Sequence, residues 1–281
     1  LENKGISEEQ IAEQLACFEK GFPYLKLSAA ASVEKGILAP DTDEQKKYLD
    51  AWEAYTQTDK VVVKFVPASG AASRMFKNLF EFLGADYDAP QTGFEKTFFE
   101  NIEKFAFYDD LNTACRRTAG KDISALLAAG NYKAVVAALL EGAGLNYGAL
   151  PKGLLKFHKY EDGSRTPLEE HLVEGALYAV NKNGKVNVHF TVSPEHRALF
   201  KALVDEKAAA YAKKYGVDYN ITFSEQKPST DTIAADMENK PFRDNGKLLF
   251  RPGGHGALIE NLNDLDADII FIKNIDNVVP D

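Results

Sequence analysis

The sequence is short of cysteine and contains no long apolar run. Its two cysteines, Cys17 and Cys115, lie far apart in segments with helical spacing, so we interpret them as reduced apolar residues and not as a disulfide or a metal site. No apolar stretch approaches the ~20 residues that a membrane-spanning helix needs, and no signal peptide opens the chain. We therefore expect a cytoplasmic protein that has no membrane partner.

Positive charge is also scarce. The chain has 33 lysines and arginines against 42 aspartates and glutamates, which gives a formal net charge of -9. A general nucleic-acid binder needs a basic surface, so this balance argues against nucleic acid as a partner. A local basic site for a phosphorylated small molecule stays open. With 281 residues, 45% of them hydrophobic, the chain is long enough for one large or two small domains.

Helical patterns dominate two parts of the chain. Ser7–Gln10 has the pattern of a capping box and is followed by apolar residues at helical spacing. We predict a helical leader over residues 1–58 and a helical insertion over residues 85–147. The remaining parts, 59–84 and 148–281, alternate between strand and helix patterns, which predicts a single α/β core.

The core begins with a strand, a loop of small residues and a helix. Val61–Val66 is rich in β-branched residues, which is typical of a buried parallel strand, and helical periodicity resumes from Ser73 to Leu83. Thr166–Glu169 has the pattern of a capped helix start with proline at the first helical position. This order predicts a three-layer α/β sheet. Further strands are predicted at residues 185–191, 219–223, 248–250 and 269–272.

The loop between the first strand and helix, Pro67–Met75, has the composition of a phosphate-binding loop. Small side chains let phosphate oxygens approach backbone N–H groups, and the start of a helix adds a favourable dipole. Arg74 could add a charge-assisted hydrogen bond. The loop lacks the Gly-Lys-Ser/Thr ending of a P-loop and the Gly-x-Gly-x-x-Gly pattern of a dinucleotide fold. A tight turn of small residues with a surface arginine is the alternative.

The loop sequence Pro-Ala-Ser-Gly-Ala-Ala-Ser-Arg-Met resembles the signature of sugar-1-phosphate nucleotidyltransferases, or pyrophosphorylases. The resemblance implies that Arg74 assists the displacement of pyrophosphate. It also implies that the nucleoside triphosphate is held by Ala68, Ser69, Gly70, Ala71, Ala72 and Ser73. Ala72 stands where that family usually has a second glycine, and Ser73 stands where it usually has threonine.

Later segments follow in the order that this family would predict. Leu150-Pro-Lys-Gly-Leu-Leu155 resembles a region whose lysine contacts the α-phosphate, and Lys152 matches that lysine. The strand that ends at Ser193 resembles the strand under the nucleotide. Gln226 matches an amide of the uridylyl branch, which could pair with uracil. Taken alone, Lys152 is an exposed turn lysine, Ser193 a helix cap and Gln226 a surface residue, and these alternatives stay open.

A second glycine loop, Arg251-Pro-Gly-Gly-His-Gly-Ala257, would allow close approach to a planar base. It is similar to the uracil-contacting loop of UDP-sugar pyrophosphorylases. The resemblance implies nucleotide contacts for Gly253, Gly254 and His255. A glycine turn with a hydrogen-bonded histidine is the alternative.

Asp276 follows the predicted strand at residues 269–272, and ligands bind at this end of parallel strands. A carboxylate there suits Mg²⁺ that bridges triphosphate oxygens. The resemblance implies a metal ligand at Asp276 and a nucleotide contact at Asn277. An Asp-Asn turn cap is the alternative.

The resemblance as a whole implies a Rossmann-like, GT-A-like nucleotide-diphospho-sugar transferase fold with a mixed sheet. Its implied activity is Mg²⁺-dependent transfer of a uridylyl group from UTP to a sugar 1-phosphate. A nucleotide-binding pseudo-enzyme or regulatory module is the alternative, and a helical interaction scaffold is a third. The motifs also look like an uncharacterised bacterial family, a domain of unknown function. Because the chain lacks an initiator methionine and ends soon after Asp276, we expect a truncated part of a longer protein.

Overall fold

A computed structural model of the chain describes residues 2–281. Within these residues the chain forms ten α-helices, joined by loops and short 3-10 turns. The helices are α1 (Glu8–Lys20), α2 (Thr42–Thr56), α3 (Lys77–Gly84), α4 (Gly93–Glu100), α5 (Tyr108–Ala119), α6 (Ile123–Ala128), α7 (Tyr132–Leu140), α8 (Pro167–Tyr178), α9 (Arg197–Tyr215) and α10 (Ile259–Asn263).

The same residues form ten strands. These are β1 (Val62–Pro67), β2 (His158–Tyr160), β3 (Gly163–Arg165), β4 (Lys185–Val192), β5 (Asp218–Glu225), β6 (Thr232–Ile233), β7 (Arg243–Asp244), β8 (Lys247–Leu248), β9 (Phe250–Arg251) and β10 (Ile269–Ile272). Four strands form one sheet in the order β10-β1-β4-β5. The other six form two-stranded sheets, which pair β2 with β3, β6 with β9, and β7 with β8.

The four-stranded sheet is parallel, so the α/β class predicted from the sequence is confirmed. Strands β1 and β4 pair in parallel, with Val63 opposite Asn187 and Pro67 opposite Thr191. The connection from β4 to β5 contains helix α9, as a parallel crossover requires. The resemblance implied a main sheet with mixed strand directions, but the main sheet is parallel. Among the described residues, antiparallel pairs occur in the small two-stranded sheets.

One predicted strand lies outside the main sheet. Residues 248–250 were expected to join it, but they are divided between β8 and β9. Strand β8 pairs with β7 through a hairpin whose turn contains Asn245 and Gly246, both with positive φ. Such a two-residue turn holds the two strands antiparallel to each other, so this segment forms a local hairpin.

Two predicted helix starts are confirmed by their hydrogen bonds. Ser7 Oγ accepts from the Gln10 N–H at 3.1 Å, while Gln10 Oε1 accepts from the Ser7 N–H at 2.8 Å. Thr166 and Glu169 make the same reciprocal pair at the start of α8. Each capping box is a short-range pattern, which is why the sequence alone locates it.

Helix α3 begins four residues later than predicted. The sequence pattern placed its start at Ser73, whereas the first helical residue is Lys77, and its cap residue Phe76 makes no side-chain cap. The N–H of Met75 donates to Ala72 O and that of Phe76 to Ser73 O. These i to i+3 bonds form tight turns, so residues 73–76 belong to the loop and not to the helix.

The chain forms two compact units. The first contains the chain up to Val62, together with Asn181–Asn183 and Ser224–Ile269. The second contains Val63–Val180, Gly184–Phe223 and Ile270–Asp281. The domain boundaries derived above from the sequence stay a prediction.

The second unit has two hydrophobic clusters. One joins the helices of residues 77–140 around Phe82 and Leu139, and the other lies against the sheet around Phe190 and Phe200. Each such side chain contributes roughly 1.5–3 kcal/mol when fully buried. The strand ends and the loop after β1 are therefore attached to a firmly packed body. The first unit has a smaller cluster that contains Ile6, Ile11 and Ile233.

Candidate functional site

The loop after β1, Pro67–Met75, is held in place by backbone hydrogen bonds, two of which are donated by its own amides. The Ala68 N–H donates to Thr191 O at 2.8 Å, which ties the start of the loop to the end of β4. The Ala72 N–H donates to Leu150 O at 3.3 Å, which ties its middle to the segment before Lys152. The loop therefore has a defined course although most of its side chains are small and exposed.

Most of the remaining amide groups of the loop are open. Five of its N–H groups donate no hydrogen bond to any residue within the described range 2–281. They belong to Ser69, Gly70, Ala71, Ser73 and Arg74, all of which are exposed. Open backbone amides are donors that suit an anion. Because α3 starts only at Lys77, these donors belong to the loop itself and not to a helix N-terminus.

Ala72 does not narrow this donor surface. Its exposed fraction is 0%, and it is part of the hydrophobic cluster that contains Phe76 and Leu79. The methyl group is thus buried among core side chains, away from solvent. The alanine at the position where pyrophosphorylase loops usually have glycine therefore leaves the exposed face of the loop unchanged.

Lys152 is brought directly to the loop. Its backbone N–H donates to Gly70 O at 3.0 Å, and Ala71 forms an isolated bridge with Pro151. Its side-chain Nζ lies 2.6 Å from Asp276 Oδ2. Both side chains keep part of their surface exposed, 26% for Lys152 and 33% for Asp276. The structure therefore gathers the loop, the predicted lysine and the predicted metal ligand in one place.

Gly153 allows this close approach. A Cβ atom at this position would lie 2.8 Å from ring carbons of Phe200 and 3.0 Å from Ile275 Cγ1. Only a residue without a Cβ lets the turn at Lys152–Leu154 pack this tightly on α9 and on the residue before Asp276. Gly153 was not predicted as a functional position, although a glycine directly after the predicted lysine was a signal that could have identified it.

The segment that carries Asp276 runs beside β1. The Ile275 N–H donates to Pro67 O at 3.0 Å, which places Asp276 next to the start of the loop. The Asn277 N–H donates to Asn274 O at 3.0 Å, so the chain turns at this point. Asn277 itself is exposed.

Ser193 and His196 flank the loop on the β4 side. Ser193 Oγ donates to Ser69 O at 3.4 Å, and His196 Nε2 lies 3.2 Å from Ala149 O. A carbonyl oxygen only accepts hydrogen bonds, so Nε2 carries the proton in the neutral ring and Nδ1 is an acceptor. Ser193 makes no side-chain cap for the 3-10 turn Pro194–His196, so the alternative of a helix cap at Ser193 is not what the structure shows. His196, at the end of this turn, was not predicted from the sequence.

Some buried polar atoms at this edge lack a partner. Among the described residues, four buried side-chain atoms have no hydrogen bond: His171 Nδ1, Thr191 Oγ1, His196 Nδ1 and Asn261 Oδ1. Thr191 lies opposite Pro67 in the sheet and His196 lies beside the loop. An unpaired buried polar atom is costly and calls for an explanation such as a bound ligand or water. Thr191 Oγ1 and His196 Nδ1 therefore lie at the same edge of the sheet as the open amides.

A layer of buried charges supports the segment that carries Asp276. Lys64, with an exposed fraction of 0%, donates to Glu174 Oε2 at 2.5 Å and to His171 O at 3.3 Å. Lys273 donates to Glu174 Oε1 at 2.6 Å. His171 Nε2 lies 3.2 Å from both Asn274 O and Ile275 O. The charge layer, as we name Lys64, His171, Glu174 and Lys273, therefore holds residues 273–275 in position.

Burial changes the protonation of this layer. Burial lowers the pKa of Lys64 to about 8, although its bond with Glu174 opposes the change. Burial, with the nearby Lys64 charge, lowers the pKa of His171 to about 3, so its ring is neutral. Burial disfavours the Glu174 carboxylate, but hydrogen bonds from Lys273 and Lys64 keep its pKa below the ordinary value. Glu174 is thus the shared anion of two lysines, and the sequence analysis gave no sign of it.

The second glycine loop belongs to the first compact unit and is organised differently. We assign the Gln226 amide in the orientation that satisfies both backbone groups of Gly253, in which Nε2 donates to Gly253 O at 3.2 Å and Oε1 accepts from the Gly253 N–H at 2.8 Å. Oε1 also accepts from Thr230 Oγ1 at 3.2 Å. Gly254 and His255 are exposed, and His255 starts a 3-10 turn. The amide of Gln226 is therefore engaged with its own chain.

The second unit also contains two sizeable cavities. A cavity of about 650 Å³ has charged walls that include Lys207, Lys214, Glu206 and Asp162. A cavity of about 460 Å³ has largely aromatic walls and begins at Met75, directly after Arg74. Both volumes fall within the range of small-molecule pockets.

Together these features define a class: an α/β protein with a parallel sheet and a loop of open backbone amides at the carboxyl end of its first strand. Over residues 1–281 the chain matches the family model described as Domain of unknown function (DUF4301), and it belongs to that family. No curated protein and no solved structure matches the chain.

Two searches of the described residues bear on metals and membranes. No helix within residues 2–281 is long and apolar enough to cross a bilayer. No group of three or more histidine, cysteine or acidic side chains in this range is placed to hold a metal ion. Asp276 Oδ2 is paired with Lys152 Nζ at 2.6 Å.

Proposed function

We propose that the protein is an Mg²⁺-dependent nucleotidyltransferase that transfers a uridylyl group from UTP to a sugar 1-phosphate, on a GT-A-like variant of the α/β fold. The observation that carries the proposal is the meeting of the open loop amides with Lys152 and Asp276 at one edge of the sheet. An anion-binding surface beside one lysine and one carboxylate suits a triphosphate with its cation. The proposal places the protein in the cytoplasm, where nucleoside triphosphates are available.

In the proposed reaction an oxygen of the sugar 1-phosphate attacks the α-phosphorus of UTP. The bond from that phosphorus to the bridging oxygen breaks, and pyrophosphate leaves with the bond electrons. The open amides and Arg74 would orient the triphosphate, and Lys152 would neutralise charge on the oxygens around the α-phosphorus. Positioning and charge neutralisation account for most of the catalysis in phosphoryl-type transfers.

The chain offers Mg²⁺ one carboxylate, Asp276. Mg²⁺ is commonly bound through one or two carboxylates plus substrate phosphates and water, so a single exposed carboxylate beside the loop fits such a site. When bound, the ion would neutralise negative charge on the triphosphate. Lys152 would then have to release Asp276 and turn toward the phosphates, because the two side chains now pair with each other.

A nucleotide-binding module without turnover is the second candidate function. It is favoured by the ion pair between Lys152 and Asp276, in which each residue neutralises the other. It is also favoured by Gln226, whose amide is bound to Gly253 and Thr230 instead of standing free for a base. In this case Arg74 and the loop amides would still hold a nucleotide phosphate.

The test combines calorimetric titration of UTP and Mg²⁺ with a pyrophosphate-release assay that contains a panel of sugar 1-phosphates. For a nucleotidyltransferase we expect binding and release, with a loss of about a hundredfold in rate for Arg74→Ala or Asp276→Asn. Arg116→Ala is the matched control, since Arg116 is an exposed arginine on α5. Binding without release would support the non-catalytic module. Neither binding nor release would contradict both candidates.

A further inference from the structure

The aromatic cavity of the second unit is open to solvent. Its volume is about 460 Å³, and its walls are almost entirely apolar. They include Met75, Phe76, Phe94, Phe98, Phe107 and Phe157. Met75 and Phe94 keep 46% and 43% of their surface exposed. Large apolar walls that stay in contact with water favour a ligand whose apolar body would cover them.

The cavity adjoins a source of positive charge and open donors. Its wall begins at Met75, and the preceding residues Ser73 and Arg74 carry two of the open N–H groups of the loop. Arg74 is exposed and makes no ion pair with any residue in the described range. Lys156, which also lines the cavity, is 2.5 Å from Asp110 and is therefore already paired. Arg74 and the open amides of Ser73 and Arg74 are thus the unpaired cation and donors that lie next in the chain to the lining residue Met75.

The two features together select a class of ligand. A purely apolar molecule would fill the cavity and leave the adjoining donors unused. A free phosphate would use the donors and leave the apolar walls in water. A molecule with an apolar body and one phosphate group satisfies both surfaces, and backbone donors with an arginine are well suited to phosphate oxygens.

We propose that the aromatic cavity is a binding site for a small aromatic or branched apolar molecule that carries one phosphate group. The apolar body lies among the phenylalanines and the phosphate lies on the Ser73–Arg74 end of the loop. The phosphate of this ligand uses the same Ser73–Arg74 donors that the proposed function assigns to the triphosphate, so the ligand and UTP exclude each other there. The site does not require nucleotidyl transfer, because a loop without turnover presents the same donors and the same cavity. A chain that fails to release pyrophosphate would still bind this ligand.

The probe is 1-naphthyl phosphate, titrated by calorimetry into the full chain. We expect one saturable site with a dissociation constant at least tenfold lower than that of 1-naphthol or of inorganic phosphate. Equal affinity for 1-naphthyl phosphate and 1-naphthol would overturn the phosphate part of the proposal. Equal affinity for 1-naphthyl phosphate and inorganic phosphate would overturn the apolar part.

Two neighbouring substitutions on α4 locate the site. Thr97 lines the cavity and is exposed, so Thr97→Trp should obstruct the cavity with little risk to folding. Lys96 is exposed and does not line the cavity, so Lys96→Trp is the matched control. We expect a tenfold or greater loss of 1-naphthyl phosphate affinity in the first variant and none in the second. Equal affinities in the two variants would place the ligand elsewhere.

Arg74→Gln supplies a measurement that does not depend on the folding of the Thr97 variant. Removing the guanidinium should weaken 1-naphthyl phosphate several-fold and leave 1-naphthol unchanged. If both probes weaken equally, or neither weakens, the phosphate does not lie at Arg74 and the proposal fails.

Discussion

The loop at residues 67–75 and the glycine loop at residues 251–257 hold their backbones in opposite ways. The first is fixed by bonds at Ala68, Gly70 O and Ala72, and five of its amides, at Ser69–Ala71, Ser73 and Arg74, stay open. In the second, the side chain of Gln226 takes up both the N–H and the carbonyl of Gly253. Glycine and small residues alone therefore do not identify a ligand-binding loop. The two loops differ in the number of amides that remain unused after folding.

The two loops also differ in what lies behind them. The segment next to the first loop rests on the charge layer, in which Glu174 is shared by Lys64 and Lys273. The second loop depends on one neutral amide and on close packing, since a Cβ at Gly253 would lie 2.8 Å from Ala257 Cβ and 3.0 Å from Thr230 O. A buried charge pair is expensive to break, whereas a neutral hydrogen bond is not. The comparison can be tested by removing each support in turn.

Removing the shared carboxylate should have the largest effect. Glu174→Ala leaves Lys64 buried without its anion, and breaking a buried pair in this way costs about 3–5 kcal/mol. We expect that loss in the free energy of unfolding, measured by urea denaturation. The control is Glu81→Ala, whose exposed partner Lys77 lies 3.7 Å away and whose loss should cost less than about 1 kcal/mol. Similar values for the two variants would mean that the charge layer does not support the site.

Removing the amide that closes the second loop should have an intermediate effect. Gln226→Ala breaks the bonds to Gly253 and Thr230, and we expect a cost of about 1–2 kcal/mol. Hydrogen exchange of the Gly253 N–H should accelerate, because its acceptor is gone. Exchange in residues 67–75 is the internal reference and should not change. An unaltered rate at Gly253 would show that Gln226 is not bound there.

The smallest effect is expected from Ala72→Gly, which restores the glycine that is usual in pyrophosphorylase loops. The Ala72 methyl is buried in the core, so its removal should cost roughly 0.5–1 kcal/mol through backbone freedom and lost packing. UTP affinity, measured by calorimetry, should stay within about twofold. An increase of fivefold or more would mean that the methyl faces the ligand and that the loop is less open than described.

The parts of the fold that depend on local pattern were predictable. The capping boxes at Ser7 and Thr166 are confirmed because their partners are three residues away. The strand at Val62–Pro67 is confirmed, and its run of mostly apolar residues is typical of a buried parallel strand. The strand at Lys185–Val192 is confirmed too, with its apolar residues at alternate positions from Val186 to Val192. The predicted start of α3 was wrong. The helical spacing of apolar residues extends into residues 73–76, but these residues form tight turns after the Ala72 N–H bonds to Leu150 O.

Residues of the candidate site were predictable only where they belong to a recognisable sequence motif. Lys152 and Asp276 were predicted separately from sequence segments, and their 2.6 Å contact joins positions 124 residues apart. Glu174 could not be identified, because its role rests on Lys64, 110 residues away, and on Lys273, 99 residues away. The hydrogen bonds between Gln226 and Gly253 could not be predicted either, because the two residues come together only in the folded chain.

Gly153 links the chemistry of the loop to the packing of the core in a way that should be visible across the family. The space that its missing Cβ leaves is filled by Phe200 and Ile275, so the three positions are constrained as one unit. Members with a larger residue at position 153 should carry smaller residues at positions 200 or 275. Lys152 would otherwise be displaced from Asp276. Correlated variation at positions 153, 200 and 275 among family members would thus indicate that the placement of the Lys152 side chain is under selection.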